Sequence, residues 1–326
     1  MSLERAAERA LVGALLLEPG HLDDVRAWLR SDDFEGTAES QSFGMMLALR
    51  EQDQALTPEA VDAGLRSSLP RGTQLADGAY LVTVMQETPE PGRASLYGRM
   101  VLELSIRRRV TEEAVRLRQR AEGASSTPEL NLVFADVDTV RRGVEQLHQR
   151  ETLAADSHSV TPLAGEPLRP LTRFPRYEEG LVEQGAIIAL VGQPSSLGTV
   201  GRWLKPNDFG DDEAGALYAE LLALHDARNP IDRLTLAWRA AKVGIEGPLS
   251  IALAEGRVET VDVDPVVSSR KVLEQSVRAA VIAVSEELET VALDAKVNTT
   301  SVAYERLNGL WPQQRRLVKA RLSCAP

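Results

Sequence analysis

The sequence predicts an all-α protein made of two tandem copies of one helical domain. Three observations carry this. Apolar residues make up 43% of the 326 residues while aromatics make up only 4%. Ala, Leu and Val dominate instead; Ala and Leu favour helices, whereas β-rich folds recruit more aromatic and β-branched residues. Apolar residues recur at helical spacing in segments separated by Pro, Gly and Ser breaks. Finally, Ala27-Trp28-Leu29-Arg30-Ser31-Asp32-Asp33-Phe34 recurs as Arg202-Trp203-Leu204-Lys205-Pro206-Asn207-Asp208-Phe209, 175 residues on.

Each element has a local reason. Ser2 to Leu17 reads as a helix with Ser2 near its N-cap, stopped by Pro19-Gly20. A second helix is expected from about His21 to Leu29, then a turn at Ser31-Asp32-Asp33-Phe34. Ala38 to Arg50 follows as a helix with Phe43, Met46, Leu47 and Leu49 on its apolar side. Thr57-Pro58-Glu59 opens another, with Thr as cap and Pro at the first helical position. Asp77 to Gln86 is a further helix, and Thr88-Pro89-Glu90-Pro91-Gly92 breaks the pattern. Two longer helices, from about Ala94 to Ala121 and from Glu129 to Gln149, flank the short polar break Ala124-Ser125-Ser126-Thr127-Pro128. They should form an antiparallel hairpin. In the second, Leu130, Val133, Val137, Val140, Val144 and Leu147 step by three or four, a coiled-coil-like seam. An ordinary helix packed on its own head would carry the same stripe.

The repeat extends well beyond the tryptophan motif. The same offset pairs Pro19 with Pro194, Leu22 with Leu197, Val25 with Val200 and Phe43 with Tyr218. It also pairs Leu47-Ala48-Leu49 with Leu222-Ala223-Leu224. Further on, Arg99-Met100-Val101-Leu102-Glu103 matches Arg270-Lys271-Val272-Leu273-Glu274 at an offset of 171, and Ser105, Arg107 and Val110 match Ser276, Arg278 and Val281. A small loop deletion accounts for the change of offset. Copy one is therefore 1–151, with a head at about 1–92 and a hairpin at about 93–151. A Pro-rich linker, 152–179, carries Pro162, Pro167, Pro170 and Pro175. Copy two is 180–326, with a head at about 180–263 and a hairpin at about 264–321. Its hairpin runs from Asp264 to Ala295 and from Thr299 to Arg321, with Val277, Val281, Val284, Leu288 and Val291 as its first seam.

Chemistry-bearing motifs are sparse. A nucleotide-binding loop of the form Gly-x4-Gly-Lys-Ser/Thr needs a lysine on the phosphates, and the dipeptide Gly-Lys occurs nowhere. The stretch Gly192-Gln193-Pro194-Ser195-Ser196-Leu197-Gly198-Thr199 imitates such a loop, but the repeat places it at a turn between two helices. His21, His148, His158 and His225 lack ligand spacing, so no metal or other cofactor is implied. The single cysteine, Cys324, makes neither an intrachain disulfide nor a cysteine zinc site, which fits a reducing cytoplasm. The start lacks the order of a signal peptide, and no apolar run reaches the roughly 18 residues of a membrane span. The formal charge of −11 argues against a broad grip on nucleic acid. The best local candidate is Arg107-Arg108-Arg109 with Arg116, Arg118 and Arg120. A solvated helix face interleaved with Glu103, Glu112 and Glu113 reads the same way, and no aromatic platform accompanies it. Trp28, Phe34, Trp203 and Phe209 read as core anchors of the heads.

The opening Ala7-Glu8-Arg9-Ala10-Leu11-Val12-Gly13-Ala14-Leu15-Leu16-Leu17 resembles the start of the N-terminal domain of the bacterial replicative helicase, DnaB. The Asp33-Phe34 turn, the helix ending Leu47-Ala48-Leu49, and Gly78-Ala79-Tyr80-Leu81 resemble it as well. So does the Tyr97-containing helix running into Arg107-Arg108-Arg109. Copy two keeps the Trp and Phe of the tryptophan motif but is altered around Gly247-Pro248-Leu249-Ser250. The resemblance implies a helical head and a helical hairpin, with hairpins that pair and build a collar on which primase or loader proteins dock. The expected function is a non-catalytic, cytoplasmic interaction module that binds primase, helicase or a loader and self-associates through the two seams. Two rivals stay open: a DNA-binding accessory protein using Arg107, Arg108 and Arg109, and the non-motor part of a split helicase. The closing Arg321-Leu322-Ser323-Cys324-Ala325-Pro326 leads into no motor, so helicase activity is not expected of this chain alone.

Overall fold

The structure is a computed structural model that describes residues 2–68, 70, 73, 75–156, 180–258 and 263–323. Among these residues every regular element is helical and no strand occurs. The first copy contributes α1 (Leu3–Leu17), α2 (Leu22–Val25), α3 (Thr37–Glu51), α4 (Pro58–Ser68), α5 (Gly78–Glu87), α6 (Ala94–Gly123) and α7 (Thr127–Asp156). The second contributes α8 (Gly180–Gly192), α9 (Leu197–Val200), α10 (Asp212–Asp226), α11 (Arg233–Lys242), α12 (Pro248–Glu255), α13 (Pro265–Leu293), α14 (Thr299–Asn308) and α15 (Trp311–Leu322). The fold class is therefore the expected one, an all-α tandem of head and hairpin.

Helix starts follow local capping chemistry. Ser2 accepts from the Arg5 amide at 3.3 Å, Thr57 from Ala60 at 3.2 Å and Asp77 from Tyr80 at 2.8 Å. In copy two, Asp211 and Asp232 cap α10 and α11 in the same manner. Each such cap satisfies an amide that the helix itself cannot, worth about 1 kcal/mol. The end of α12 is a left-handed Gly256, φ 71°, a backbone conformation that costs a side chain but not glycine.

Two expected elements come out differently, for identifiable reasons. The helix expected from His21 to Leu29 is a 3-10 turn, Pro19–His21, followed by the single turn of α2. A continuing helix would give the Asp24 carbonyl to the Trp28 amide. Instead the Trp28 indole N–H takes that carbonyl at 2.9 Å, and the amide bonds Val25. The return limb of the second hairpin is broken between α14 and α15. Pro312 has no N–H to donate to the preceding turn and suits the first turn of a new helix, while Gly309 weakens the end of the old one. At the other boundary, α7 continues through Asp156, so 152–156 is helix rather than linker. The remaining linker residues 157–179, His158 and Cys324 lie outside the described residues.

The decoy loop is the expected turn: Pro194–Ser196 joins α8 to α9, and the apolar run before it is helix. The head cores repeat as the sequence repeats. Trp28 and Trp203 are each 1% exposed. Phe34 and Phe43 stand 5.0 Å apart with rings tilted at 35°; Phe209 and Tyr218 stand 5.1 Å apart at the same tilt. In the first head α1 packs on α3 and α5, and α3 on α4; in the second α10 packs on α8, α11 and α12. The described residues divide into two units. One draws on Met1–Glu113, Arg142–Glu166 and Thr290–Tyr304; the other draws on Ala114–Arg141, Pro167–Glu289 and Glu305–Pro326. Each unit thus holds one head, the root of that head's hairpin, and the turn of the other copy's hairpin.

Candidate functional site

The seam residues are buried. Leu130, Val133, Val137, Val140, Val144 and Leu147 are 1–8% exposed, and Val277, Val281, Val284 and Leu288 are 0–4% exposed. Leu130, Val133, Val137 and Val140 belong to the same unit as the four residues of the second seam, while Val144 and Leu147 belong to the unit of the first head.

Polar contacts join segments of the two copies inside each unit. In the unit of the second head, Thr127 at the start of α7 donates its hydroxyl to Glu274 on α13. The Arg118 guanidinium of α6 lies 3.0 Å from the Glu289 carboxylate of α13, and Arg141 of α7 sits over the Trp311 ring, 5.9 Å from its centroid. In the unit of the first head, Glu151 of α7 accepts from Thr300 at 2.6 Å and from the Asn298 amide at 3.2 Å. His148 Nδ1 lies 3.0 Å from the same Thr300 hydroxyl. Sequence reasoning missed all of these. Apolar spacing marks a seam, but not the polar residues at its margins.

A second group of residues fastens each head to the root of its hairpin, and it is built twice. Asp33 is fully buried. Its carboxylate accepts from the Arg30 amide at 2.8 Å, Ser105 Oγ at 2.9 Å, Arg109 Nη2 at 3.2 Å and Arg150 Nη2. Arg150 also donates Nε to the Trp28 carbonyl at 2.8 Å. Asp208 accepts from the Lys205 amide at 2.7 Å, Ser276 Oγ at 3.1 Å and Arg316 Nη1 at 2.5 Å. A buried carboxylate persists only when paired and hydrogen-bonded; in both copies an arginine of the return limb supplies that pairing. Beside it, Glu8 accepts from the Glu35 and Gly36 amides at 2.6 and 2.9 Å. Glu183 does the same for Gly210 and Asp211, at 2.7 and 2.9 Å. Burial pushes both carboxyls above the ordinary range, and the amide donors pull them part of the way back. The recurrence of Asp-Phe and of Ser105 in the repeat was the signal that could have found this clamp.

Two arginines of the run take part in the same clamp, and the third pairs within its own helix. Arg107 pairs with Glu103 at 2.7 Å, Arg108 donates to the Asp33 carbonyl at 2.9 Å, and Arg109 reaches Asp32 at 3.0 Å as well as Asp33. Among the described residues no group of three or more His, Cys, Asp or Glu side chains could hold a metal ion, and no helix is long and apolar enough to cross a membrane.

Comparison with known proteins agrees with this duplicated architecture. The family described as DnaB-like helicase N terminal domain matches residues 2–103 and again 178–248. The replicative DNA helicase DnaB of Geobacillus stearothermophilus is 26% identical over 145 residues, 44% of this chain and 31% of the helicase. That of Mycobacterium leprae is 29% identical over 137 residues, 40% of this chain and 22% of the helicase. The chain thus spans less than a third of either relative. The crystal structure of the N-terminal domain of DnaB helicase from Mycobacterium tuberculosis is 27% identical, covering 41% of this chain and 95% of that domain with a TM-score of 0.37. With one family match in each half and more than half of its length accounted for, the chain belongs to the DnaB-like helicase N-terminal domain family.

Proposed function

We propose that the chain is a non-catalytic, cytoplasmic docking module of the replication machinery in which the two hairpins pair with each other inside one chain. The pairing would run through the seams Leu130, Val133, Val137, Val140, Val144, Leu147 and Val277, Val281, Val284, Leu288, and would present the heads to primase, helicase or a loader. The observation that carries this reading is the polar contact set within each unit, Thr127 with Glu274 and Glu151 with Thr300. In relatives with one copy the resemblance implies pairing between chains; here the second copy is tethered, which raises its effective concentration to roughly millimolar.

A double-mutant cycle on Glu151→Gln and Thr300→Val tests the pairing. Direct contact predicts a coupling of about 0.5–1.5 kcal/mol; zero coupling refutes it. Replacing Val140 and Val144 with Asp would bury uncompensated charge, costing about 3 kcal/mol or more at each site. That variant should bind a hydrophobic dye, and the parent should not. For the partner, titration of the full chain against purified primase, replicative helicase and loader should give one saturable complex, and three flat titrations overturn that assignment. Calorimetry with Mg-ATP should show no specific heat, and a saturable micromolar isotherm would end the non-catalytic reading. The arginine run is not assigned to nucleic acid, because Arg107, Arg108 and Arg109 are each bonded within the chain.

A further inference from the structure

The first limbs of the two hairpins, α6 and α13, are one helix used twice. Their first residues, Ala94 and Pro265, stand 171 residues apart, the offset of the repeat in this region. Burial keeps the same register. Val101, Leu102, Ile106, Val110 and Leu117 correspond to Val272, Leu273, Val277, Val281 and Leu288, and all ten are at most 3% exposed. The apolar face is therefore conserved between the copies, while the charge beside it is inverted. Arg116 corresponds to Glu287, and Arg118 to Glu289.

Arg118 and Glu289 also meet. Arg118 Nη2 donates to Glu289 Oε2 at 3.4 Å. Nε faces Oε1 at 3.0 Å as an ion pair without hydrogen-bond alignment, and both of these atoms are shut off from water. The two residues belong to one unit, that of the second head. At the other inverted position Glu287 faces Arg306 of its own hairpin at 2.8 Å, so its charge is already used within copy two.

Symmetry gives the Arg118–Glu289 contact its meaning. When two like elements pair about a two-fold axis, a residue on the axis meets its own counterpart. A residue that touches its repeat equivalent stands at such an axis between the copies. Two first hairpins paired in this way would set Arg118 against Arg118, and two second hairpins would set Glu289 against Glu289. Only the unlike pair brings opposite charges together. The apolar seams cannot make this choice, because burial of apolar surface is non-directional and Val110 or Leu117 would pack as well on either copy. Like charges brought together in a shielded contact are strongly disfavoured, and they are the usual means of rejecting a wrong partner.

We propose that Arg118 and Glu289 select the partner in hairpin pairing: a first hairpin accepts a second one and rejects another first, and a second rejects another second. The inference rests on the hairpin pairing proposed above and adds the residues that choose the partner. A second hairpin of the same chain and one of another chain satisfy the selector equally, and the tether favours the former. Association of chains through like hairpins is what the selector excludes.

The test keeps the full chain and reverses the charges. Arg118→Glu sets Glu against Glu, the facing that two second hairpins would have. Glu289→Arg sets Arg against Arg, the facing of two first hairpins. In urea unfolding each reversal should lower the folding constant about ten-fold, a loss of about 1.4 kcal/mol. The exchange Arg118→Glu/Glu289→Arg restores opposite charges and should return the constant to within about three-fold of the parent. Each reversal also changes the surroundings of Glu122 or Glu286 on its own helix. That local part carries into the exchange unaltered, so recovery reports the contact between the copies. Raising the salt from about 0.1 M to about 1 M shortens the screening length from about 10 Å to about 3 Å and should narrow the deficit of both single reversals. Losses that simply add in the exchange overturn the proposal. If they add while Glu151→Gln and Thr300→Val remain coupled, the hairpins pair without this selector; if neither cycle shows coupling, the pairing itself falls. Should a reversed chain not fold, Arg118→Gln, Glu289→Gln and their combination take its place. The combined loss should then be smaller than the sum of the single losses, and a loss equal to that sum overturns the selector.

Discussion

The joint between head and hairpin holds several guanidinium groups in copy one, and in copy two one ion pair flanked by small packed side chains. Asp33 meets two guanidinium groups, Arg109 and Arg150, and a third, Arg108, holds its backbone carbonyl. Asp208 meets Arg316. At the positions of Arg108 and Arg109 the second copy has Ala279 and Ala280, which are 6% and 0% exposed. The aspartate, the serine partner and the return-limb arginine persist, while the flanking arginines give way to small side chains that fit against their neighbours. The difference teaches that the indispensable part of the joint is the buried carboxylate with one cation and one hydroxyl. What surrounds it can be polar or apolar, provided nothing buried is left unpaired.

The largest expected effect comes from removing that carboxylate. Asp33→Ala leaves Arg150 buried without its partner and should cost about 3–5 kcal/mol in urea unfolding. Asp208→Ala should cost less, because it strips one guanidinium of its carboxylate where Asp33→Ala strips two, Arg109 and Arg150. Equal losses would mean that the extra arginines of copy one contribute nothing. The exchange of joints comes next. Ala280→Arg inserts a long cation into a filled site and should cost about 3 kcal/mol. Arg109→Ala, at a side chain 31% exposed, should cost about 1 kcal/mol or less. A stabilised Ala280→Arg protein would break the comparison, because it would show that copy two has room for the charged joint.

A finer difference lies at the paired tryptophans. The Trp28 indole N–H bonds the Asp24 carbonyl, whereas the Trp203 indole N–H has no partner among the described residues. Trp28→Phe should therefore cost about 1 kcal/mol more than Trp203→Phe, which removes a buried unsatisfied donor. Thermal melts of the two variants decide it, and the reverse order would sink the assignment. The smallest effect is in pH. Glu8 and Glu183 have folded-state pKa values raised above their unfolded ones. The folded protein holds more protons in the window just above the ordinary carboxylate range, so their contribution to stability falls as pH rises through that window. Glu8→Gln should flatten this part of the stability profile, Glu183→Gln should do the same, and the double variant should add the two. An unchanged slope would show that the amide donors cancel the burial.

Much of the fold was legible because it is written in periodicity and in local signals. Helical spacing located the helices of the first copy and of the second hairpin but not α11 and α12 of the second head, Ser2 and Thr57 marked starts as caps, and the recurrence of Trp28 and Phe34 as Trp203 and Phe209 revealed the duplication. The sequence by itself also marked Trp28, Phe34, Trp203 and Phe209 as core anchors of the heads, and the structure buries all four. Tertiary structure decided what depends on residues distant in sequence. The early stop of α2 recurs at α9. In both, the tryptophan amide turns to the carbonyl three residues back, while only the Trp28 indole takes the Asp24 carbonyl. The stop therefore goes with seating the buried tryptophan in its head, which no helix propensity encodes. The role of Arg150 as partner of Asp33, 117 residues away, and of Arg316 for Asp208 follows from how the hairpin returns to its head. The run Arg107-Arg108-Arg109 reads along the helix as a solvated face interleaved with Glu103, or as a surface for anions; the pairing of Arg109 with Asp32 and Asp33 is visible only in the packed structure. Charge patterns read along one helix cannot show which charges the folded chain has already paired. Burial and partnership belong to the packed structure, because desolvation and hydrogen bonding act through space rather than along the chain.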